Sequence, residues 1–341
     1  MKWLVLSPFA IEDGDGWLFD AQRQASHSSQ VVPRSYHHDR SRPMTGGREW
    51  LDYFLHGWRA VKMAWQSPRD TGVITLFPQL AVIMAMFKRL GLLGRRPLLA
   101  WCFNMGRPYG GLKGALARAV MSQVDLFVVY SRAEIEIYSQ WLGVPRSRFC
   151  FVPLTGLRPV LASVVIEPDD DAPYVLAMGT ANRDYRTFMQ AMARVGHRAI
   201  VISGPHALEG LEIPPNVEVR SGVPQQECHR LAKRARLNVI PIADAEAASG
   251  QVTLIDSMML CLPLVVTRCA GTQDYVQDGV HALLVPPAQP EAMAQAIEQL
   301  WADPDRRSKM AQDAQAYAFE HYTPEAVKKQ FADILDRLAP G

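Results

Sequence analysis

At 341 residues the chain is too long for one ordinary hydrophobic core and is sized for two domains. Its 48% hydrophobic and 21% charged residues exclude a disordered, collagen-like or disulfide-built chain. The net charge of +2 hides an asymmetry, with 20 Lys and Arg against 11 Asp and Glu in residues 1–160 and 16 against 23 in residues 161–341.

A basic first half suits anionic lipid or a diphosphate-bearing acceptor. The sequence pI near 8.3 and the lack of an aromatic-basic motif argue against nucleic acid as a partner. The five cysteines form no CxxC pair and sit mostly in apolar runs such as Ala100–Phe103, as free thiols in a reducing compartment do. Met1 to Ala10 lacks the basic start and long apolar stretch of a secretory signal, so Lys2 to Ser7 is expected as a buried strand. No window reaches the roughly 18 apolar residues of a spanning helix. The expected location is the cytoplasm, either free or at the inner face of the plasma membrane.

The first half then alternates strand and helix. Gly72–Phe77 is a strand, Gln79–Leu90 a helix, Arg96–Cys102 a strand, Gly111–Met121 a helix and Leu126–Tyr130 a strand. Ser131 caps a helix to Leu142, with Glu134 at the capping-box spacing, and Phe149–Pro153 is a short strand. Pro159, Pro168 and Pro173 mark a joint around the acidic run Asp169–Asp171, which reads as a solvated linker rather than a metal site. The second half restarts with strands at Tyr174–Met178, Arg198–Ser203, Val217–Arg220, Leu237–Pro241, Leu264–Thr267 and Leu283–Val285. Helices are expected at Tyr185–Ala193, Gln225–Ala235, Val252–Leu260 and Glu291–Trp301, then from the Asp303 cap to Glu320 and from the Thr323 cap to Leu338. Short apolar strands between helices are those of a parallel sheet covered on both faces. The expected division is 1–157, a linker at 158–173, 174–322, and a C-terminal helix in 323–341 packing back on the first domain.

The richest stretch is Ala248–Val276. Ser249-Gly250 breaks the chain before a helix whose first N–H groups lack intrahelical partners and lie at the positive end of its dipole, a cradle for a diphosphate. Asp256, one turn in from Val252, is suited to ribose hydroxyls. A second cluster, Gly179–Tyr185, follows the strand Tyr174–Met178 and holds Arg183, whose guanidinium can grip phosphate oxygens by two parallel hydrogen bonds. Weaker signals are Gly46-Gly47 before an amphipathic segment, Asn104 after the strand Arg96–Cys102, and His37-His38 beside Asp39. Lys88, Arg89, Arg95 and Arg96 interleave with Met86, Phe87, Leu90, Leu92 and Leu93, a pattern that suits peripheral contact with anionic membrane or ordinary helix packing.

These motifs resemble those of the GT-B retaining glycosyltransferases of the group 1, family 4-like kind. Asp256–Val266 is similar to the second half of their donor motif, and Gly271, Asp274, Asp278-Gly279 and Leu283–Pro286 to its continuation. The resemblance implies two doubly wound Rossmann-like α/β domains facing a central cleft. It implies donor-binding roles for Gly179, Thr180, Arg183, Gly204, Ser249, Gly250, Gln251, Val252, Thr253 and Asp256. Arg183 and Asn104 become the candidate catalytic residues, and Gly46 and Gly47 the loop facing acceptor or diphosphate. The family's first glutamate falls on Ala248, so Glu246 or the Gln251 amide is expected to reach the sugar. The implied reaction transfers a hexose from a nucleotide-diphosphate sugar, a UDP- or GDP-sugar, to the hydroxyl of a glycan or lipid-linked acceptor in polysaccharide biosynthesis. It proceeds with retention and without metal or other cofactor. The alternatives are a nucleotide-sugar epimerase of the same fold and a non-catalytic nucleotide-sugar or partner-binding protein.

Overall fold

The computed structural model describes residues 1–9, 27–36, 46–106, 108–166, 172–246 and 248–339. His37, His38, Asp39, Thr45 and Asp169–Asp171 lie outside the described residues. The chain divides into two compact units, Met1–Pro153 with Val327–Gly341, and Leu154–Ala326.

The first unit is a parallel sheet of β1 (Lys2–Leu6), β2 (Ser28–Val31), β3 (Gly72–Thr75), β4 (Leu98–Ala100), β5 (Leu126–Val129) and β6 (Phe149–Phe151), in the order β2-β1-β3-β4-β5-β6. Side chains alternate across it. Leu4, Leu6, Val73, Phe127 and Val129 face a core shared with α1 (Gly47–Trp65), α2 (Pro78–Arg89), α3 (Gly111–Met121) and α4 (Arg132–Leu142). Trp3, Val5, Ile74, Leu99 and Val128 face a second core on the opposite side. The edge strand β2 has no counterpart in the sequence reading. Its Ser28-Ser29-Gln30-Val31 is mostly exposed and lacks apolar alternation, and pairing with β1 makes it a strand.

Two local features take definite form. Ser131 does cap α4, accepting from the Ala133 amide at 3.2 Å, but the Glu134 carboxylate reaches back to the Tyr130 amide at 3.1 Å and is buried. The basic-apolar strip at 86–96 is largely drawn into the fold. Lys88 pairs with Asp125, Arg89 donates to the Ala119 carbonyl at 3.1 Å, and Arg96 donates to the Ala64 carbonyl at 2.8 Å. Phe87 and Leu93 are buried, which leaves Arg89, Leu90 and Arg95 as exposed members of that strip.

The second unit repeats the plan with β7 (Val175–Met178), β8 (Ala199–Ile202), β9 (Val217–Arg220), β10 (Leu237–Ile240), β11 (Leu264–Thr267) and β12 (Leu283–Val285), all parallel, in the order β12-β11-β10-β7-β8-β9. Its helices are α5 (Tyr185–Val195), α6 (Gln225–Arg234), α7 (Gln251–Met259), α8 (Pro290–Ala302) and α9 (Pro304–His321). Phe188 and Met192 of α5 and Met293, Ile297 and Leu300 of α8 close one face of the sheet. The Asp303 carboxylate caps α9 through the Arg306 amide at 2.9 Å, with Pro304 in its first turn.

The last helix, α10 (Pro324–Leu338), starts beyond Thr323, whose hydroxyl accepts from the Ala326 amide at 3.3 Å. From Val327 onward it belongs to the first unit. Val327, Phe331, Ile334 and Leu335 complete that unit's second core, with Phe331 edge-on to Trp101 at 4.7 Å.

Candidate functional site

The strand order of the second unit reverses between β7 and β10, the outward-running halves being β8-β9 and β11-β12. In an open α/β sheet, ligands bind outside the carboxyl ends of the strands at such a reversal. Two loops leave the sheet there, Gly179–Asp184 after β7 and 241–250 after β10.

Asn182 joins the two loops. It takes the left-handed conformation with φ 55°, which asparagine tolerates better than most residues. Its Oδ1 accepts from the Asp244 amide at 2.9 Å, and its Nδ2 donates to Ser249 Oγ at 2.5 Å. Its carbonyl accepts from the Ala243 amide at 3.1 Å, and the next residue, Arg183, forms an antiparallel bridge with Ile242. Gly271 presses on the same loop. A Cβ there would lie 2.4 Å from both the backbone nitrogen and the oxygen of Ser249.

Arg183 is held with its charge uncompensated. Nε donates to the Met178 carbonyl at 3.2 Å, one terminal nitrogen to the Ala181 carbonyl at 2.8 Å, and the other to Thr253 Oγ1 at 2.8 Å. The neighbouring Asp184 is occupied as the cap of α5, accepting from the Thr187 amide at 3.0 Å and its hydroxyl at 2.5 Å. Among the described residues no carboxylate pairs with Arg183. Burial pulls its pKa below the ordinary arginine value, the direction expected of a cation moved out of water. The guanidinium lies against Gly179, where a Cβ would meet it at 2.5 Å and where φ is +120°. Only glycine fits both demands.

Thr253 belongs to the first turn of α7. Gly250 precedes it at φ 87°, with a Cβ there 2.8 Å from the Ile242 side chain. The first helical bond runs from the Leu254 amide to the Gly250 carbonyl at 2.9 Å, so the amides of Gln251, Val252 and Thr253 precede the helical ladder. Two positive features, the start of the α7 dipole and a half-buried guanidinium, meet at Thr253.

Beside them opens a cavity of about 440 Å³. Gly179, Thr180, Gly204, Thr253 and Asp256 line it, together with Ser203 and His229. The Asp256 carboxyl has no hydrogen-bond partner among the described residues, and burial pushes its pKa up to about 6. Burial also lowers the His229 pKa.

Five of the sequence-predicted donor residues thus share one cavity wall, and Arg183 touches Thr253. Ser249 is tied to Asn182 rather than turned to the cavity. Gln251 is 6% exposed, with its Nε2 buried and unpaired, and Val252 is exposed. Glu246 is exposed, its amide bonded to Asp244 Oδ1 at 3.0 Å. Ala248, at the place of the expected acid, is buried. Gly46, Gly47 and Asn104 belong to the first unit. Gly46 caps α1 through its carbonyl, to the Trp50 amide at 3.1 Å, and its own amide donates to Glu49. Asn104 Oδ1 accepts from the Gly106 amide at 2.9 Å. Among the described residues no group of three or more His, Cys, Asp or Glu side chains converges as a metal site would.

Sequence reading did not single out Asn182, Ser203 or His229. An asparagine two residues before a helix cap is the signal for the first, since it marks a left-handed turn. The other two reach the cavity from β8 and α6 by topology, which no local pattern announces.

Residues 172–303 match the family described as glycosyl transferases group 1. The chain is 26% identical over 183 residues to the alpha-D-kanosaminyltransferase of Streptomyces kanamyceticus, covering 50% of this chain and 47% of that protein. It is 25% identical over 213 residues to the lipopolysaccharide core biosynthesis glycosyltransferase LpsE of Rhizobium meliloti, covering 60% and 58%. The chain thus spans about half the length of the curated relatives it matches. Among solved structures, Anabaena HepE in complex with UDP superposes with a TM-score of 0.70 over 99% of this chain and 100% of that one, at 14% identity. Fold and sequence agree: the chain has the GT-B fold, and its second unit is similar, over residues 172–303, to the group 1 glycosyl transferases.

Proposed function

We propose that this protein transfers a hexose from a nucleoside-diphosphate sugar to an acceptor hydroxyl, with retention at the anomeric carbon and without a metal ion. The observation that carries the reading is the half-buried, carboxylate-free Arg183 beside the start of α7. Breaking a sugar–phosphate bond leaves negative charge on the diphosphate, and a fixed cation with aligned amides stabilises that charge as it develops. Arg183 and the amides of Gln251–Thr253 would hold the diphosphate, and Asp256 would accept from ribose hydroxyls. HepE, of the same fold, binds UDP, which fits a uridine or related donor here. LpsE acts in lipopolysaccharide core synthesis, which fits a glycan or lipid-linked acceptor.

The buried Ala248 favours one second reading, a protein that binds nucleotide sugars without turnover, because no acid can act from that position. Titration with UDP, GDP and ADP and their nucleosides tests the shared step. Arg183→Ala should cost diphosphate affinity about tenfold to a hundredfold, the worth of a charged hydrogen bond, and nucleoside affinity far less. Equal losses for both would remove Arg183 from the phosphate.

A further inference from the structure

Gly179 does more than make room for Arg183. Its amide donates to the Ile202 carbonyl at 3.0 Å, which carries the β7–β8 pairing one residue further. At a φ of +120° its carbonyl is turned onto two hydroxyls. Tyr185 Oη donates to it at 2.6 Å and Ser203 Oγ at 3.0 Å, so both lone pairs of this one oxygen are taken. Tyr185 is fully buried and Ser203 is 6% exposed, so the carbonyl points into the protein. The Gly179–Thr180 peptide is trans, and in a trans peptide the N–H lies opposite the C=O. The Thr180 amide therefore points away from the interior, toward the cavity that Thr180 lines together with Thr253. It bonds to no carbonyl or side chain among the described residues.

We propose that Tyr185 and Ser203 are positioning residues that aim and strengthen the Thr180 amide as a donor to the diphosphate, beside Arg183 and the start of α7. The aim comes from the plane of the peptide, which cannot turn while both hydroxyls hold its oxygen. The strength comes from polarisation. Donors on a carbonyl oxygen draw electron density through the amide, and the N–H on the far side becomes a better donor. Burial raises the Tyr185 pKa, which keeps the proton on the hydroxyl that donates. Neither residue touches the phosphates in this arrangement, and each acts through the Gly179 carbonyl alone. The inference rests on the proposed donor reading and adds two residues which that reading does not use.

NMR of the full chain carrying ¹⁵N-labelled threonine tests it, with the Thr180 amide identified as the peak that Thr180→Ser removes. The protein is titrated with UDP, GDP and ADP in turn, each against its nucleoside. The expected result is a downfield shift of the Thr180 amide proton with the diphosphate that binds, and a much smaller one with its nucleoside. Tyr185→Phe should shrink that shift and weaken the diphosphate about threefold to tenfold, the worth of one neutral hydrogen bond. Nucleoside affinity should stay as in wild type. Ser203→Ala should act in the same direction, a second variant should the first fold poorly. A merely structural role would lower the melting temperature of both variants and leave the Thr180 shift and the diphosphate-to-nucleoside affinity ratio unchanged, which overturns the inference. If Arg183→Ala loses diphosphate affinity while the wild-type Thr180 amide does not move, this inference fails and the donor reading stands. A wild type that binds nucleoside as tightly as diphosphate removes both.

Discussion

At Asp256 the local environment works against the ionised side chain, since burial holds the carboxyl near pKa 6 with no partner among the described residues. Between the ordinary carboxylate value and about 6 the folded protein binds more protons here than the unfolded chain does. Stability therefore falls as pH rises through that window, and the penalty is fully present at neutral pH. Asp256→Asn should raise the melting temperature at pH 7 and lose that advantage near pH 4, measured as the difference from wild type at each pH. The same substitution should weaken nucleotide binding, because a ribose hydroxyl donates best to the carboxylate. Wild-type affinity should fall as pH drops below about 6, and an affinity flat across that range would take Asp256 off the ribose. Arg183 and Asp256 were both legible as residues. What sequence could not supply was their state, since burial and partners depend on which loops the sheet brings together. Gln251 illustrates the gap. Its place after Ser249-Gly250 suggested an accessible amide, and the fold buries it.

The elements that hold the site are two loops and the start of one helix, and three glycines set their spacing. Gly179→Ala should act as a site mutation, because the added methyl occupies the space of the Arg183 guanidinium. Diphosphate affinity should fall by about as much as in Arg183→Ala, roughly tenfold to a hundredfold. Gly271→Ala instead drives a methyl into the Ser249 backbone, so it should destabilise the second unit by about 1–3 kcal/mol in denaturant unfolding. If the two alanines behaved alike in both assays, the separation of roles would fail. At this scale the sequence was most readable. Apolar runs marked the buried strands, and Ser131, Asp303 and Thr323 marked helix starts that the structure bears out as caps. The edge strand β2 was invisible because its strand character comes from the partner β1 and not from its own side chains.

Over the whole molecule, the last helix is structural to the first unit although it follows the second in sequence. Phe331 is fully buried against Trp101, so Phe331→Ala should cost about 3–5 kcal/mol of the first unit's stability. Nucleotide titration of the second unit should be little changed, and a matching loss of both would contradict the assignment of α10 to the first. Alternating strands and helices made both parallel sheets legible. The order β12-β11-β10-β7-β8-β9 was not, since strand adjacency is a long-range property, and that order is what puts Arg183, Thr253 and Asp256 at one reversal. Incubating the full chain with a panel of UDP-, GDP- and ADP-sugars, with and without lipid-linked glycan acceptors, and reading the products by NMR tests the central claim most directly. The account predicts release of nucleoside diphosphate and a product, or slow hydrolysis, that keeps the donor's anomeric configuration. A panel that raises the melting temperature yet stays unconsumed, or a donor that accumulates as its epimer, would contradict it.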